Sequence, residues 1–200
     1  MFKQLHKILI FRRRVNVLSA EILSFINPTI KTLLDVGCGD GAISKLIQNK
    51  NKEIKIVGID VMERPTSSII IELFDGENIP YHNDSFDCTM LIDVLHHVKN
   101  IKQLLTEAKR VSKKFILIKD HQYKSNFDLN VLKFMDYVGN KPHNVIINYN
   151  FLNEVEWNSL FDDLGLEVIR KKIKVPLYLF PFNILFGRKL HFICLLQIIK

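Results

Sequence analysis

The sequence contains few cysteines, and they are scattered. Three occur among 200 residues, at Cys38, Cys88 and Cys194, and their spacing matches neither a disulfide framework nor a zinc site. Cys88 and Cys194 lie in apolar, strand-like runs, which predicts reduced thiols in a core. Unpaired thiols are typical of the cytoplasm, and we expect that location.

Apolar runs long enough to cross a bilayer are absent. The strongest run, from Val175 to Phe186, contains two prolines and is shorter than the roughly 20 residues that a spanning helix needs. Residues 1–10 are apolar and basic, but Arg12–Arg14 follows them without a small-residue cleavage site, so they predict an amphipathic helix and not a signal peptide. Low-complexity tracts and long repeats are also lacking. We expect one domain over residues 1–200 with no transmembrane span.

Positive charge is in excess, with 28 Lys and Arg against 21 Asp and Glu and a net charge of +7. The basic residues form three runs, Arg12–Arg14, Lys109–Lys114 and Arg170–Lys174, and none is interleaved with aromatic residues on which bases could stack. Nucleic acid is therefore a disfavoured partner. Such runs usually form solvated faces of helices and strands. Contact with an anionic membrane surface or with a phosphate-bearing substrate is the alternative.

The most informative segment follows an apolar run and carries glycine at every second position: Gly37, Gly39 and Gly41. Glycine permits positive φ and removes the Cβ, so a ligand can approach the backbone closely. The G-x-G-x-G spacing differs from the G-x-G-x-x-G of dinucleotide sites, and no G-K-[ST] sequence follows to hold a triphosphate. Asp35, just before the first glycine, would repel a phosphate. The segment therefore predicts a nucleoside ligand without pyrophosphate.

Residues Asp35–Gly41 resemble the first motif of class I S-adenosylmethionine-dependent methyltransferases. Three further segments follow in that family's order: Val57–Asp60 resembles its second strand, Asp75–Asp87 its adenine-side loop and fourth-strand entry, and Leu91–Val98 the segment after that strand. Together they cover roughly residues 30–120, and four ordered elements are far more specific than one glycine turn. Lys119–Tyr149 also resembles a bacterial subgroup of these enzymes.

Strand and helix patterns alternate along the chain, which indicates an α/β protein with a parallel sheet. The predicted strands are residues 32–36, 54–59, 69–73, 88–92, 115–118, 166–175 and 190–199. The predicted helices are residues 2–26 (one or two helices), 42–50, 101–111, 129–138 and 153–164. The resemblance implies a Rossmann-like, seven-stranded, mostly parallel sheet with an antiparallel edge strand, helices on both faces and an N-terminal helical extension.

Four regions follow from this reading: N-terminal helices (1–28), a cofactor-binding core (30–120), a substrate-side insertion (121–150), and a helix with the antiparallel edge strands (151–200). Only residues 61–68 separate the second and third predicted strands, so the helix usual there must be short or missing. The insertion carries polar residues that would cover an acceptor, namely Asp136, Tyr137, Asn140, His143, Asn148 and Tyr149. Its helix is expected to fold over the site as a lid.

The resemblance implies that S-adenosylmethionine binds and that S-adenosylhomocysteine is the product. The implied cofactor-binding residues are Asp35, Gly37, Cys38, Gly39, Asp60, Val61, Asp75, Gly76, Ile92 and Asp93. Asp60 should accept both ribose hydroxyls, because one carboxylate spans a vicinal diol, although it could simply cap a strand end. Asp75 should meet the adenine amino group, although it could simply begin an Asp-Gly turn.

Two groups of residues are candidates for chemistry on the acceptor. Asp93, His96 and His97 fall at i, i+3 and i+4, so one helical turn could place the carboxylate beside either imidazole. Adjacent histidines on a helix diverge by about 100°, so at most one should face the site. Converging metal ligands are lacking in the sequence pattern, and no metal is expected. A packed helix histidine is the alternative for either ring.

Asp120-His121, after the fifth predicted strand, is the best candidate for a general base. A histidine pKa near 6.5 suits removal of a proton from a hydroxyl during transfer. The alternative is a solvated loop histidine, and transfer from a sulfonium can also proceed by positioning alone. The predicted catalytic residues are therefore His121, Asp120, His97 and Asp93.

We expect a methyltransferase acting on a small or lipid-like acceptor. One alternative is a catalytically idle S-adenosylmethionine-binding interaction domain. A nucleic-acid methyltransferase is disfavoured, because Asp93–His96 stands where an Asn-Pro-Pro-Tyr or Asp-Pro-Pro-Tyr motif would present a planar amine to the methyl group. An NAD-dependent dehydrogenase is disfavoured by the glycine spacing.

Overall fold

The computed structural model of the chain describes residues 2–140 and 148–199, with side chains from Phe11 onward apart from that of Asn140. His143 and the rest of the predicted insertion between residues 141 and 147 lie outside the described residues. No helix in these described ranges is both long and apolar enough to cross a membrane.

The helices and strands alternate as the sequence predicts. The helices are α1 (Phe2–Phe25), α2 (Ala42–Lys50), α3 (Ile101–Val111), α4 (Asn126–Asn140), α5 (Glu154–Asp163) and α6 (Phe182–Leu185), with a 3-10 turn at Leu95–His97. The strands are β1 (Thr32–Val36), β2 (Lys55–Asp60), β3 (Ile71–Leu73), β4 (Phe86–Ile92), β5 (Ser112–Tyr123), β6 (Leu152–Asn153), β7 (Leu166–Ile173) and β8 (His191–Ile198).

One sheet joins these strands in the order β3-β2-β1-β4-β5-β8-β7, and the short β6 pairs with the end of β5. Strands β1 to β5 run parallel to one another, whereas β8 runs antiparallel to both β5 and β7. The central strands β1 and β4 are almost wholly buried, as expected of a sheet covered on both faces. The predicted Rossmann-like, mostly parallel sheet with an antiparallel strand near one edge is confirmed.

The two faces of the sheet form separate cores. On one face, Leu18 and Ile22 of α1 and Ile47 of α2 pack against alternate residues of the strands. On the other face, α3 and α5 supply Leu104, Leu105, Trp157 and Phe161. Because successive strand residues point to opposite faces, the single run of apolar residues in each strand serves both cores.

Two strand predictions are wrong in their bounds. β5 extends through Tyr123, so Asp120-His121 lies within a strand and not after it; pairing with β8 up to His121 and with β6 beyond it holds the extra residues extended. β3 is only three residues long. The predicted absence of a full helix between β2 and β3 is confirmed, since residues 61–70 form bends and irregular loop.

Candidate active site

The glycine turn after β1 adopts backbone conformations that other residues avoid. Gly37, Gly39 and Gly41 have φ of 70°, 62° and 70°. A Cβ at Gly37 would come within 2.5 Å of the Val94 side chain, whereas a Cβ at Gly39 would meet no atom within 4 Å. The turn is therefore packed on one side and leaves the Gly39 backbone open on the other.

Asp60, at the end of β2, fastens this turn. Its Oδ2 accepts a hydrogen bond from the Gly39 N–H at 2.8 Å, and its Oδ1 accepts one from the Met62 N–H at 3.0 Å. The side chain is buried. Each carboxylate oxygen can accept more than one hydrogen bond, so this anchoring leaves capacity for a ligand hydroxyl.

Asp35 lies buried beneath the turn, with one oxygen satisfied and one not. Ser44 Oγ donates to Oδ2 at 2.5 Å, while Oδ1 has no hydrogen-bond partner among the described residues. Burial raises the pKa of Asp35 to about 7 against the lowering effect of the Ser44 hydrogen bond. Asp35 lines the cavity described below and presents an acceptor that a ligand cation would satisfy.

The predicted adenine-side residues lie at the surface. Val61 and Asp75 are exposed, and a Cβ at Gly76 (φ 85°) would approach Val61 to 3.0 Å. The Asp75 carboxylate accepts hydrogen bonds from the backbone N–H groups of Glu77 and Asn78 and from the Asn78 side chain. These contacts form the turn that the sequence offered as the alternative for Asp75, and its adenine contact stays a prediction.

A cavity of about 680 Å³ extends from the glycine turn across the carboxyl ends of the strands. Its near end is lined by Asp35, Gly37, Cys38 and Gly39. Its far end is lined by the polar residues Asp93, His96, His97, Lys119, His121, Asp136 and His191. Apolar walls come from Val15, Ile92, Leu132, Met135, Phe151 and Leu177. Because α4 supplies Leu132, Met135 and Asp136, it covers the far end as the predicted lid would.

Asp93 forms the centre of an ion-pair group. Lys119 Nζ pairs with its Oδ1, and Arg14 of α1 pairs with its Oδ2 at 2.5 Å. Burial alone would raise the pKa of Asp93, but the Lys119 and Arg14 cations outweigh it and hold that pKa well below its usual value. Asp93 has φ of 56° and precedes the 3-10 turn, so the prediction that one helical turn joins it to His96 and His97 is wrong.

Asp120 organises the histidines from the opposite face of β5. Its Oδ1 lies 2.7 Å from His96 Nδ1 and accepts the His121 backbone N–H at 2.7 Å, while its Oδ2 accepts the Leu95 N–H at 3.0 Å. Burial alone would raise the pKa of Asp120, yet the His96 and His121 rings hold it far below its usual value. Asp120 is therefore a buried, ionised anchor.

His121 faces the cavity with its side chain only 12% exposed, so the solvated-loop alternative does not hold. Its Nδ1 lies 3.3 Å from Asp120 Oδ1. Burial and then the Lys119 cation lower the pKa of His121 to about 4, so its ring is neutral at pH 7. A donor role for Nδ1 toward Asp120 would leave Nε2 as a proton acceptor.

His96 and His97 both line the cavity, contrary to the prediction that at most one would. Their ring centroids lie 4.0 Å apart. Adjacent residues of the 3-10 turn at Leu95–His97 diverge by about 120°, so the backbone alone does not bring the two rings together. The orientations of the side chains do so, and both rings point toward Asp136 of α4. Their Nε2 atoms lie 3.8 Å and 3.7 Å from Asp136 Oδ1. The expectation that metal-ligand types do not converge here is therefore also wrong.

Lys119 and His191 were missed by the sequence reasoning. Lys119 is 1% exposed, and its Nζ lies 3.3 Å from His191 Nδ1. A signal for Lys119 was available, because it stands two residues before His121 and shares its face of the strand. None existed for His191, which reaches the site because its strand pairs with β5 in the register His121 to His191.

Comparison with known proteins identifies a family. Residues 9–171 match the family model described as Methyltransferase domain. The demethylmenaquinone methyltransferase of Thermotoga maritima is 27% identical over 111 residues, which cover 52% of this chain and 46% of that protein, so the chain spans less than half the length of that relative.

Solved structures share the fold. A SAM-dependent methyltransferase from Aquifex aeolicus superposes with a TM-score of 0.60 at 18% identity, covering 90% of this chain and 89% of its own. A geranyl diphosphate methyltransferase in complex with GPP and sinefungin superposes with a TM-score of 0.69 at 9% identity, covering 92% of this chain and 77% of its own. At these identities the likeness concerns the fold alone.

Proposed function

The chain belongs to the methyltransferase domain family, a class I S-adenosylmethionine-dependent fold, and on that premise we propose that it transfers a methyl group from S-adenosylmethionine to a small or lipid-like acceptor. One observation carries the proposal: a single cavity joins an open glycine turn to a buried cluster of histidines, lysine and carboxylates. Such a cavity holds a donor at one end and an acceptor at the other, which is the arrangement that direct transfer needs.

The near end of the cavity fits the cofactor. The open space at Gly39 accepts a ligand against the backbone, and the unpaired Asp35 Oδ1 would bind the ammonium of the methionine part. Asp60 would hold the ribose hydroxyls, with Val61 and Asp75 beside the adenine. When bound, the cofactor supplies an electrophilic methyl group. The protein would orient that methyl group toward the far end of the cavity.

The far end supplies proton transfer and charge stabilisation. His121 is neutral at pH 7 and is oriented by Asp120, so its Nε2 would accept a proton from an acceptor hydroxyl. Its pKa of about 4 makes it a weaker base than the value near 6.5 expected from the sequence, so transfer would also depend on the positioning of the acceptor. The buried Lys119 ammonium, also facing the cavity, would stabilise the negative charge that develops on the acceptor oxygen. Asp93 holds Lys119 in place, and the ion pair between Arg14 and Asp93 ties α1 to the site.

The walls of the far end favour an apolar acceptor. Leu132, Met135, Phe151 and Leu177 surround the polar cluster, so the acceptor is expected to combine a hydrophobic body with one polar reacting group. The relative from Thermotoga maritima named above is a methyltransferase of a small, lipid-like molecule, demethylmenaquinone. That similarity supports the proposal of a small or lipid-like acceptor.

The surface next to this wall supports contact with an anionic membrane surface. Directly after the cavity-lining Leu177 and Tyr178, five large apolar side chains are exposed: Leu179, Phe180, Phe182, Ile184 and Leu185. Exposed basic residues flank them, namely Lys174, Arg188 and Lys189. Peripheral membrane binding usually combines two elements. Apolar side chains enter the membrane interface, and neighbouring basic residues contact the anionic headgroups.

Vesicle flotation tests this contact. The protein should float with vesicles containing phosphatidylglycerol and much less with phosphatidylcholine alone. The double variant Phe180→Ser with Phe182→Ser should abolish flotation. Val155→Ser is the matched control and should float as the native protein does, because Val155 lies on α5 and is as exposed (76%) as Phe180 (77%). Equal flotation of all three proteins, or none by the native chain, would contradict the contact. A loss of self-association in the double variant would instead assign the surface to a second copy.

Methyl transfer is tested with labelled S-adenosylmethionine and a fractionated cell extract. Label should appear in a lipid-soluble or small polar product, and His121→Ala should reduce its formation by about 10²-fold or more while leaving S-adenosylhomocysteine affinity nearly unchanged. His82→Ala, at an exposed histidine, is the matched control. Cofactor binding without transfer into any fraction would favour the idle interaction domain, and label in macromolecules would favour a nucleic-acid or protein acceptor.

A further inference from the structure

Two histidines and one carboxylate converge at the far end of the cavity. We propose that His96, His97 and Asp136 form a binding site for a divalent transition-metal ion. Each residue offers one donor atom, and these atoms lie within 4.8 Å of one another. Two imidazoles and one carboxylate are a ligand set typical of iron(II), and they also suit zinc, cobalt and manganese better than magnesium or calcium.

The distances place the three side chains close to coordination geometry. Asp136 Oδ1 lies 3.8 Å from His96 Nε2 and 3.7 Å from His97 Nε2. With metal–ligand bonds of about 2.1 Å, neighbouring donor atoms lie about 3.0–3.4 Å apart. Side-chain rotations that shorten each of these two separations by roughly half an ångström would therefore bring Asp136 Oδ1 and each histidine nitrogen to the spacing of ligands on one ion, and the two histidine donors lie within 4.8 Å of each other before any movement.

A second, independent observation concerns the other nitrogen of His96. His96 Nδ1 lies 2.7 Å from Asp120 Oδ1, and both side chains are buried. Asp120 is itself held by the backbone N–H groups of Leu95 and His121. A carboxylate bound to the remote nitrogen is the usual support of a metal-ligating histidine, because it fixes the ring and directs Nε2 to the ion.

Charge and access also favour a cation at this point. Three carboxylates, Asp93, Asp120 and Asp136, surround the histidines, against the two cations Arg14 and Lys119. His96, His97 and Asp136 all line the cavity, so the coordination positions that they leave open would face the acceptor. Binding of the ion rests on this geometry alone. Its role, to hold and polarise an acceptor oxygen, rests on the proposed methyl transfer.

Cobalt(II) titration of the full chain, purified without a polyhistidine tag and first treated with a chelator, tests the site. We expect one ion per chain, with visible absorption bands of nitrogen-ligated cobalt, and competition by zinc. His97→Gln and Asp136→Asn should each weaken binding by more than about tenfold, since even loss of a supporting partner costs this much. His82→Gln should bind as the native protein does.

Binding that is absent from the native chain, or that is equally strong in His97→Gln and Asp136→Asn, would overturn the site. Loss in His82→Gln as well would show scattered surface binding and would overturn it too. Circular dichroism verifies that each variant is folded. If Asp136→Asn does not fold, His97→Gln alone tests the site, because His97 is the more exposed of the two histidines. Calorimetry with S-adenosylhomocysteine on the same samples reports separately on the proposed function.

Discussion

At the scale of single residues, Asp60 accepts a hydrogen bond from the glycine turn and is proposed to bind the ribose hydroxyls of the cofactor. Asp60→Ala should weaken S-adenosylhomocysteine binding by about 1.5–3 kcal/mol, because it removes hydrogen bonds to a charged group and releases the Gly39 N–H. Calorimetry would show a roughly 10- to 150-fold higher Kd. Asp163→Ala, at an exposed carboxylate on α5, should bind normally. An unchanged Kd in folded Asp60→Ala would remove Asp60 from the cofactor site.

Asp35 gives the cofactor end a pH dependence. Because burial raises the pKa of Asp35 to about 7, its carboxyl is largely protonated below neutral pH in the unliganded protein. A bound ammonium favours the carboxylate, so binding should release a proton, and affinity for S-adenosylhomocysteine should rise as pH rises through about 7. Calorimetry in buffers of different ionisation enthalpy measures that proton. The same dependence in Asp35→Asn would assign it to another group.

The stability of the unliganded protein should change in the opposite sense. A carboxyl with a raised pKa in the folded state stabilises the fold most below its usual pKa, near 4, and loses that contribution as pH rises through about 7. Without cofactor, the midpoint temperature of unfolding should therefore fall less between about pH 4 and pH 7 in Asp35→Asn than in the native protein. A parallel fall in both proteins would show that Asp35 does not cause it.

The sequence predicted those site residues whose position depends only on their immediate neighbours in the chain. The glycine turn, Asp35 and Asp60 follow from a strand, its end and the conformations that glycine allows. The partners of Asp93 could not be predicted this way, because Arg14 lies 79 positions away and reaches Asp93 only after α1 has docked on the sheet.

At the scale of elements, a capping box formed by Asn153 and Glu156 fixes the residue at which helix α5 begins. Asn153 accepts hydrogen bonds from the Val155 and Glu156 N–H groups, and the Glu156 side chain accepts the Asn153 N–H. Asn153→Ala should lower the free energy of unfolding by about 1 kcal/mol, read as a lower urea midpoint at an unchanged slope. Asn158→Ala, at an exposed position within the same helix, is the control; an equal loss there would refute capping.

Helices α1, α2, α3 and α5 were predicted almost to the residue, whereas α4 is five residues longer than predicted and α6, some strand bounds and the histidine turn were not predicted. Caps and apolar periodicity are local, so α2, α3 and α5 could be placed from sequence. β5 runs on to Tyr123 because β8 and β6 pair with it, and these contacts are set by the whole sheet. The spacing of Asp93 and His96 suggested a helical turn, but the positive φ of Asp93 breaks it.

At the scale of the molecule, the cavity is a product of topology. α1, the ends of β1 and β4, β5, α4 and β8 each contribute side chains to it. The order of motifs predicted the donor end, because parallel strands bring their carboxyl ends to one edge. The acceptor end could not be predicted, since His191 arrives through antiparallel register and Asp136 through the packing of α4.

The most direct test of the central claim compares S-adenosylhomocysteine with NAD in the same calorimeter. The glycine turn is open to a ligand, while its G-x-G-x-G spacing and the buried Asp35 beneath it disfavour a pyrophosphate. We predict one molecule of S-adenosylhomocysteine bound per chain, displaced by S-adenosylmethionine, and no measurable binding of NAD. Tighter binding of NAD than of S-adenosylhomocysteine would contradict the account.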